Sequence, residues 1–208
     1  MKKPTRPIFD VSARQHGFSL ITTLILLMVV SGLGIAASQM VLMSERTSRF
    51  DRDAQIAFQA AEAALVDAEL DIQGSKDLAG TYIVSGLRMD KFEAKNKVNF
   101  SVGCGNDPIR RGLCAPAEAG QKPVWYQVDF TDESANAKTV KFGEFTGREF
   151  AVGATGIRPE IAPRYIVEVI HDPALAASPK DVLYRITAMG FGPRKKTQVV
   201  LQVVFRKA

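Results

Sequence analysis

The chain has few of the residues, and none of the short motifs, that mark common catalytic sites. Its 208 residues include two cysteines and two histidines. The P-loop, G-x-G-x-x-G, H-E-x-x-H and G-x-S-x-G patterns are all missing. His171 lies beside Asp172, with Ser178 nearby, but neighbours in a turn do not make a triad, because site geometry defines catalysis. The sequence therefore predicts no enzyme, cofactor, metal site or small-molecule substrate.

Positive charge is in small excess and unevenly placed. The formal net charge is +5, and segment 1–17 carries four basic residues against one acidic residue, or +3. The remainder is only +2, from 23 basic and 21 acidic residues. Arg110–Arg111 and Arg194–Lys196 are isolated basic tips, whereas nucleic-acid surfaces cluster Lys and Arg on one face. This distribution argues against a nucleic-acid partner.

Charge is missing altogether from residues 18–44, a run of 27 positions. About 20 apolar residues suffice to cross a bilayer as a helix. Because the basic residues precede this run, they should stay cytoplasmic while the C-terminal bulk is exported. Two alternatives remain open: a signal peptide cleaved near Ala37, where small residues occur, and a plain single-pass tether.

A second helical pattern follows directly, with neither proline nor glycine from Glu45 to Gln73. Apolar or small residues recur there in steps of three and four, which places them on one helix face. Gly74 is a natural C-terminal cap. The pattern predicts one helix from Phe18 to Gln73, whose outer half packs on a soluble domain while Glu62, Asp67, Glu69 and Asp71 face elsewhere. The predicted packing face comprises Phe50, Ala54, Ala57, Phe58, Ala61, Ala64, Leu65, Ala68 and Ile72.

The last third of the chain has strand patterns. Arg164–Asp172, Val182–Gly190 and Thr197–Lys207 are β-type runs, and a turn-like FGPRKK segment joins the latter two. Alternation places Val199, Leu201, Val203 and Phe205 on one face, which can accept the helix. Val124–Phe130 (VWYQVDF) also predicts a strand, and Lys138–Phe145 is a weaker candidate.

Cys104 and Cys114 close a short loop in the exported part of the chain. Disulfides persist in oxidising compartments, so a bond between them is predicted, which would stabilise by roughly 3 kcal/mol on the chain-entropy relation. Zinc is a rival interpretation, but it needs about four ligands, and the exported part offers only these two and His171. Free thiols are the other alternative.

The sequence GFSLI at the charge boundary, Gly17–Ile21, resembles the type III leader of type IV pilins and type II secretion pseudopilins. The helical segment ERTSRFDRDAQIAFQAAEAALVDAE is similar to the N-terminal domain of the PilX group of minor pilins. The C-terminal LYRITAMGFG and QVVLQVVFRK are similar to the end of that group. The resemblance implies cleavage after Gly17 by a prepilin peptidase and N-methylation of Phe18.

One position departs from the family pattern. Most such pilins carry Glu five residues after the cut, where this chain has Thr22. The family's Glu is thought to pair with the new N-terminal amine, and a threonine has no charge with which to do so. The departure argues against a role as the repeating major subunit, but not against processing.

The resemblance therefore implies an α+β, pilin-like fold with a long helix packed on an antiparallel β-sheet headpiece. Its parts are a leader (1–17), a transmembrane and polymerisation helix (18–44), a periplasmic amphipathic half (45–73) and a β-rich headpiece (74–208). The implied protein is a minor pilin that sits first in the inner membrane and then at or near the pilus tip.

The partners that this resemblance implies are the prepilin peptidase, other minor pilins, the major pilin and a tip adhesin. The implied role is to prime filament assembly and to help present that adhesin. A minor pseudopilin of type II secretion is one alternative, and a membrane-tethered periplasmic enzyme is another. The sequence leaves open whether the pilus serves twitching motility, cell adhesion or DNA uptake.

Overall fold

A computed structural model describes residues 18–74, 88–93, 99–153, 157–170 and 182–207. The helices are α1 (Phe18–Gln73), a 3-10 helix (Met89–Phe92) and α2 (Val124–Gln127); the strands are β1 (Leu113–Cys114), β2 (Val140–Lys141), β3 (Arg164–Ile170), β4 (Val182–Phe191) and β5 (Gln198–Lys207). The leader and His171 lie outside the described residues. The boundary between two compact units falls between Ser48 and Arg49.

The predicted helix from Phe18 to Gln73 is confirmed. Within the first unit its large apolar side chains, such as Leu24, Leu33 and Val41, are exposed. Among the described residues, this is the helix long and apolar enough to cross a membrane, with a mean hydropathy of 2.4 in its most apolar window. An exposed apolar surface of this length is stable when lipid or other apolar helices cover it.

The second unit is built on a sheet with the order β1-β3-β4-β5, and β2 also pairs with β3. The three long strands are antiparallel neighbours, with Val167 opposite Ile186 and Tyr184 opposite Phe205. The two-residue β1 pairs with β3 in parallel, so the sheet is mixed at that edge. The α+β arrangement of one long helix and a largely antiparallel sheet is confirmed.

Two segments differ from their predicted strands. Val124–Gln127 is a short helix, and Val124 and Phe130 are buried in a cluster with Ile166 and the cysteines. The β propensity of a residue reflects how well its side chain fits a half-buried surface, and not a preference of its backbone for the strand conformation. This segment therefore buries Val124 and Phe130 without forming a strand. The strand predicted over Lys138–Phe145 is limited to β2, since Gly143, at a φ of 79°, turns the chain away from β3.

The sheet separates two apolar clusters. Tyr165 and Val167 of β3 join the cluster that contains Ala64, Ala68 and Ile72 of α1, whereas Ile166 joins the cluster that contains the cysteines. Successive strand residues point to opposite faces, so β3 contributes to both cores. On β5, Val199, Leu201, Val203 and Phe205 are half-buried and Gln202, Val204 and Arg206 are exposed, which confirms the predicted alternation from Leu201 onward. Val200, between Val199 and Leu201, is half-buried as well.

The helix backbone approaches β4 closely at Gly190. A methyl group at this position would overlap the carbonyl oxygen of Ala57 and the amide nitrogen of Ala61. Ala57, Ala60 and Ala61 are buried at the same level. Small side chains on both elements therefore allow helix and sheet to pack backbone to backbone.

Candidate functional site

The residues predicted for the packing face of α1 divide into two groups. Ala57, Ala61, Ala64, Ala68 and Ile72 are fully buried, and Ala54 and Leu65 are half-buried. Phe50 and Phe58, by contrast, remain 59% and 43% exposed. Their assignment to the packing face is therefore wrong for the single chain, because alanines rather than large rings fit the close approach of helix to sheet.

Acidic side chains occupy the buried face instead. Asp53, Asp67 and Asp71 are all buried, which corrects the prediction that Asp67 and Asp71 face elsewhere. Asp53, Asp67 and Asp71 follow one another in steps of 14 and four residues, which places them on the same helix face as the alanines. Their spacing therefore predicts that they are buried. Charge alone does not require exposure, because a buried carboxylate is stable when donors surround it.

Asp71 is held by Arg88 and Tyr165. Arg88 donates from Nε to Oδ1 at 3.0 Å and from Nη2 to Oδ2 at 2.7 Å, and the Tyr165 hydroxyl donates to Oδ2 at 2.9 Å. Such a two-point guanidinium–carboxylate pair is directional as well as charged. Helix α1, strand β3 and the segment before the 3-10 helix therefore meet at one carboxylate.

The Arg88 side chain links this site to two further loops. Its Nη1 donates to the carbonyl oxygens of Ile109 and Arg111, at 3.2 and 2.7 Å. Its guanidinium carbon lies 3.7 Å from the ring centroid of Phe145. Burial raises the pKa of Asp71 above its ordinary value, and Arg88 opposes that rise. Burial likewise raises the pKa of Tyr165, which keeps its hydroxyl protonated as a donor.

Asp67 anchors a second loop. It accepts hydrogen bonds from the Gly143 amide, at 2.7 Å, and from the Thr146 hydroxyl. Arg148 Nη1 lies 3.7 Å from its Oδ1. Burial raises the pKa of Asp67, and the Gly143 and Thr146 hydrogen bonds lower it. Asp67 thus ties the segment that contains Gly143 and Thr146 to α1.

The disulfide between Cys104 and Cys114 is present, as predicted, with 4.1 Å between the Cα atoms. Both residues are buried in the second apolar cluster. Cys114 belongs to β1, which pairs with β3. The bond therefore ties the 104–114 loop to the sheet.

The N-terminal positions predicted for processing lie at the start of α1. Gly17 is outside the described residues, and the helix begins at Phe18. Thr22 is exposed, and its hydroxyl donates to the Ser19 carbonyl oxygen at 2.9 Å. Thr22 therefore contributes a helix-internal hydrogen bond and no charge. Across the described part of the chain, no group of three or more His, Cys, Asp or Glu residues is placed to hold a metal ion.

Two family matches cover most of the chain. Residues 16–66 match the family described as PilX N-terminal, and residues 110–207 match the type IV pilus assembly protein PilX C-terminal family. No curated protein and no solved structure gave a significant match. The matched ranges include most of α1, Cys114 of the disulfide and the whole sheet. The chain belongs to the PilX family of type IV pilus assembly proteins.

Proposed function

We propose that this chain is a minor pilin that primes filament assembly and helps to present an adhesin at the pilus tip. The observation that carries the proposal is the division of α1 into two kinds of surface. Residues up to Ser48 expose apolar side chains, whereas Asp67 and Asp71, farther along, bind loops of the second unit. The first part is free for lipid or neighbouring helices, while the second is committed to its own domain.

Small residues in the apolar part support subunit packing. Gly32 and Gly34 have no atom within 4 Å of the position where a Cβ would lie. Small residues let helices approach closely in apolar surroundings. Within the second unit, the exposed rings of Phe50 and Phe58 offer further apolar contacts to a neighbouring subunit.

We expect the mature protein to begin at N-methylated Phe18. Charge ends and apolarity begins at Gly17, so processing there would remove the basic leader and keep the whole helix. Intact mass measurement of membrane-extracted protein tests this. A chain that starts near Ser38, or one that retains Met1, would contradict the pilin assignment.

We also expect the subunit to be scarce and to lie at or near the filament end. The new ammonium group on Phe18 would lack the usual carboxylate, because the residue at that position is the uncharged Thr22. At about 4 Å and an effective dielectric of about 20, such a pair would be worth roughly 4 kcal/mol before desolvation. That loss would recur at every subunit of a shaft, but it occurs once in an initiating complex.

Counting this chain against the major pilin in sheared filaments is the direct test. We expect this chain to amount to a small fraction of the major pilin. Deletion of this chain should leave fewer surface filaments, while the major pilin stays in the membrane. A Thr22→Glu variant supplies the missing carboxylate and is expected to enter shafts more often than the native chain, with Thr23→Glu as the neighbouring control. Near-equal amounts of native chain and major pilin would refute the placement.

A further inference from the structure

The disulfide loop and the buried ion pair of α1 share one side chain. The loop 104–114, which the disulfide closes, contains both carbonyl oxygens that accept hydrogen bonds from Arg88 Nη1, those of Ile109 and Arg111. The Nε and Nη2 groups of the same arginine donate to Asp71. Arg88 therefore joins the disulfide loop to the last turn of α1.

Cys104 has an unfavourable backbone conformation in this loop. Its φ is 66°, in the left-handed region that residues other than glycine seldom adopt. The disulfide ties Cys104 to Cys114, which pairs with β3 as part of β1. Without the bond, only the hydrogen bond from the Cys104 amide to the Ser101 carbonyl oxygen, at 3.1 Å, would hold this backbone directly. We therefore expect Cys104 to relax toward a negative φ when the bond is broken.

Movement at Cys104 reaches the acceptors of Arg88 through Gly105. The Gly105 carbonyl oxygen accepts a hydrogen bond from the Gly112 amide, at 3.1 Å. A methyl group on Gly105 would overlap the carbonyl oxygen of Arg110, so the two sides of the loop are in direct contact. Because Arg110 stands between the two residues whose carbonyl oxygens bind Arg88, a shift of Gly105 is expected to displace both.

We propose that the disulfide is a redox-sensitive latch, and that breaking it loosens the last turn of α1 while the rest of that helix stays packed on the sheet. Arg88 then keeps its two hydrogen bonds to Asp71 but loses the fixed carbonyl oxygens that orient its guanidinium group. The close approach of Ala57–Ala61 to Gly190 involves no residue of the disulfide loop, so that contact persists. This inference does not depend on the proposed place of the chain in a pilus.

The chemistry of the latch is thiol–disulfide exchange. A dithiol reductant passes two electrons and two protons to the bond between Cys104 and Cys114, becomes a cyclic disulfide and leaves two cysteine thiols. The reverse exchange with a protein disulfide closes the latch in an oxidising compartment, where disulfides persist. The last turn of α1 would therefore become fixed only after export and oxidation.

Amide hydrogen exchange of the full chain in a neutral detergent, followed by mass spectrometry, tests the latch. The oxidised chain is compared with the chain reduced by dithiothreitol and with Cys104→Ala/Cys114→Ala, which lacks the bond even if the reductant cannot reach the buried sulfurs. Peptides from residues 66–74 should exchange on the order of tenfold faster in both bond-free forms, a usual coupling between contacting groups. Peptides from residues 53–61 should exchange at their native rate.

Two outcomes would overturn the proposal. Equal acceleration in both sets of peptides would mean that loss of the bond destabilises the whole unit without acting on the end of α1. Unchanged exchange at 66–74 would mean that the loop holds Arg88 without the bond.

Asp71→Leu/Arg88→Met is the background that makes the result specific, since it removes the ion pair without leaving an unpaired charge. Breaking the disulfide in this background should accelerate exchange at 66–74 no further, because the connecting side chain is gone. Lys91→Met is the matched control, since it removes a cation whose pair with Asp90 is accessible to water. There the full effect of the bond should persist. Equal effects of the bond in the native and Asp71→Leu/Arg88→Met backgrounds would show that the loop and the ion pair are independent, and the latch would be wrong.

Discussion

Arg88→Met is expected to lower the free energy of unfolding of the second unit by about 3–5 kcal/mol, the usual effect of removing one partner from a buried ion pair. The variant leaves the Asp71 carboxylate buried with only the Tyr165 hydroxyl from its present donors. It also removes the hydrogen bonds that Arg88 donates to the carbonyl oxygens of Ile109 and Arg111. Urea unfolding of the full chain in detergent, followed by Trp125 fluorescence, measures the change.

Lys91→Met provides the control for loss of a cation and gain of a methionine. Lys91 Nζ lies 2.6 Å from Asp90 Oδ2, but both side chains are accessible to water. Exposed pairs contribute about 0–1 kcal/mol, so this variant should unfold nearly as the native chain does. A combined Asp71→Leu and Arg88→Met variant should recover part of the loss, because no unpaired charge then remains. A change below about 1 kcal/mol in Arg88→Met would contradict the anchoring role of the pair.

Gly190→Ala is expected to destabilise the second unit by about 3 kcal/mol, at the upper end of the usual cost of overpacking. The added methyl would overlap backbone atoms of Ala57, Ala60 and Ala61. Backbone atoms cannot rotate aside as a flexible side chain can, so helix and sheet must separate. Thermal unfolding of the full chain measures the shift.

Two companion variants make this result specific. Gly34→Ala adds the same methyl group where no atom lies within 4 Å, and it should leave unfolding of the second unit unchanged. Ala57→Gly should not rescue Gly190→Ala, because the overlapping Ala57 atom is its carbonyl oxygen. Rescue by Ala57→Gly, or native stability of Gly190→Ala, would show that the close approach is not limiting.

The sequence by itself determined the elements with strong periodicity. The uncharged run and the alanine-rich segment predicted α1 with the bounds that the structure shows. The three C-terminal strands agree with prediction to within a residue or two over the described residues. These features depend on local spacing, because a period of 3.6 or 2 residues fixes which side chains share a face. The disulfide is predictable because both cysteines lie in the exported part of the chain, where disulfides persist, and because that part has too few further ligands for zinc.

The tertiary structure alone decided where the charged and aromatic side chains of the second unit lie. Asp71 is buried because Arg88, 17 positions away, and Tyr165, 94 positions away, bring donors to it. No local pattern in the sequence predicts partners that are so distant along the chain. Phe58 is 43% exposed, although Ala57, Ala60 and Ala61 beside it are buried at the close approach to Gly190. Burial of a charge or exposure of a ring depends on what long-range contacts supply, and a single helix or strand pattern holds no information about them.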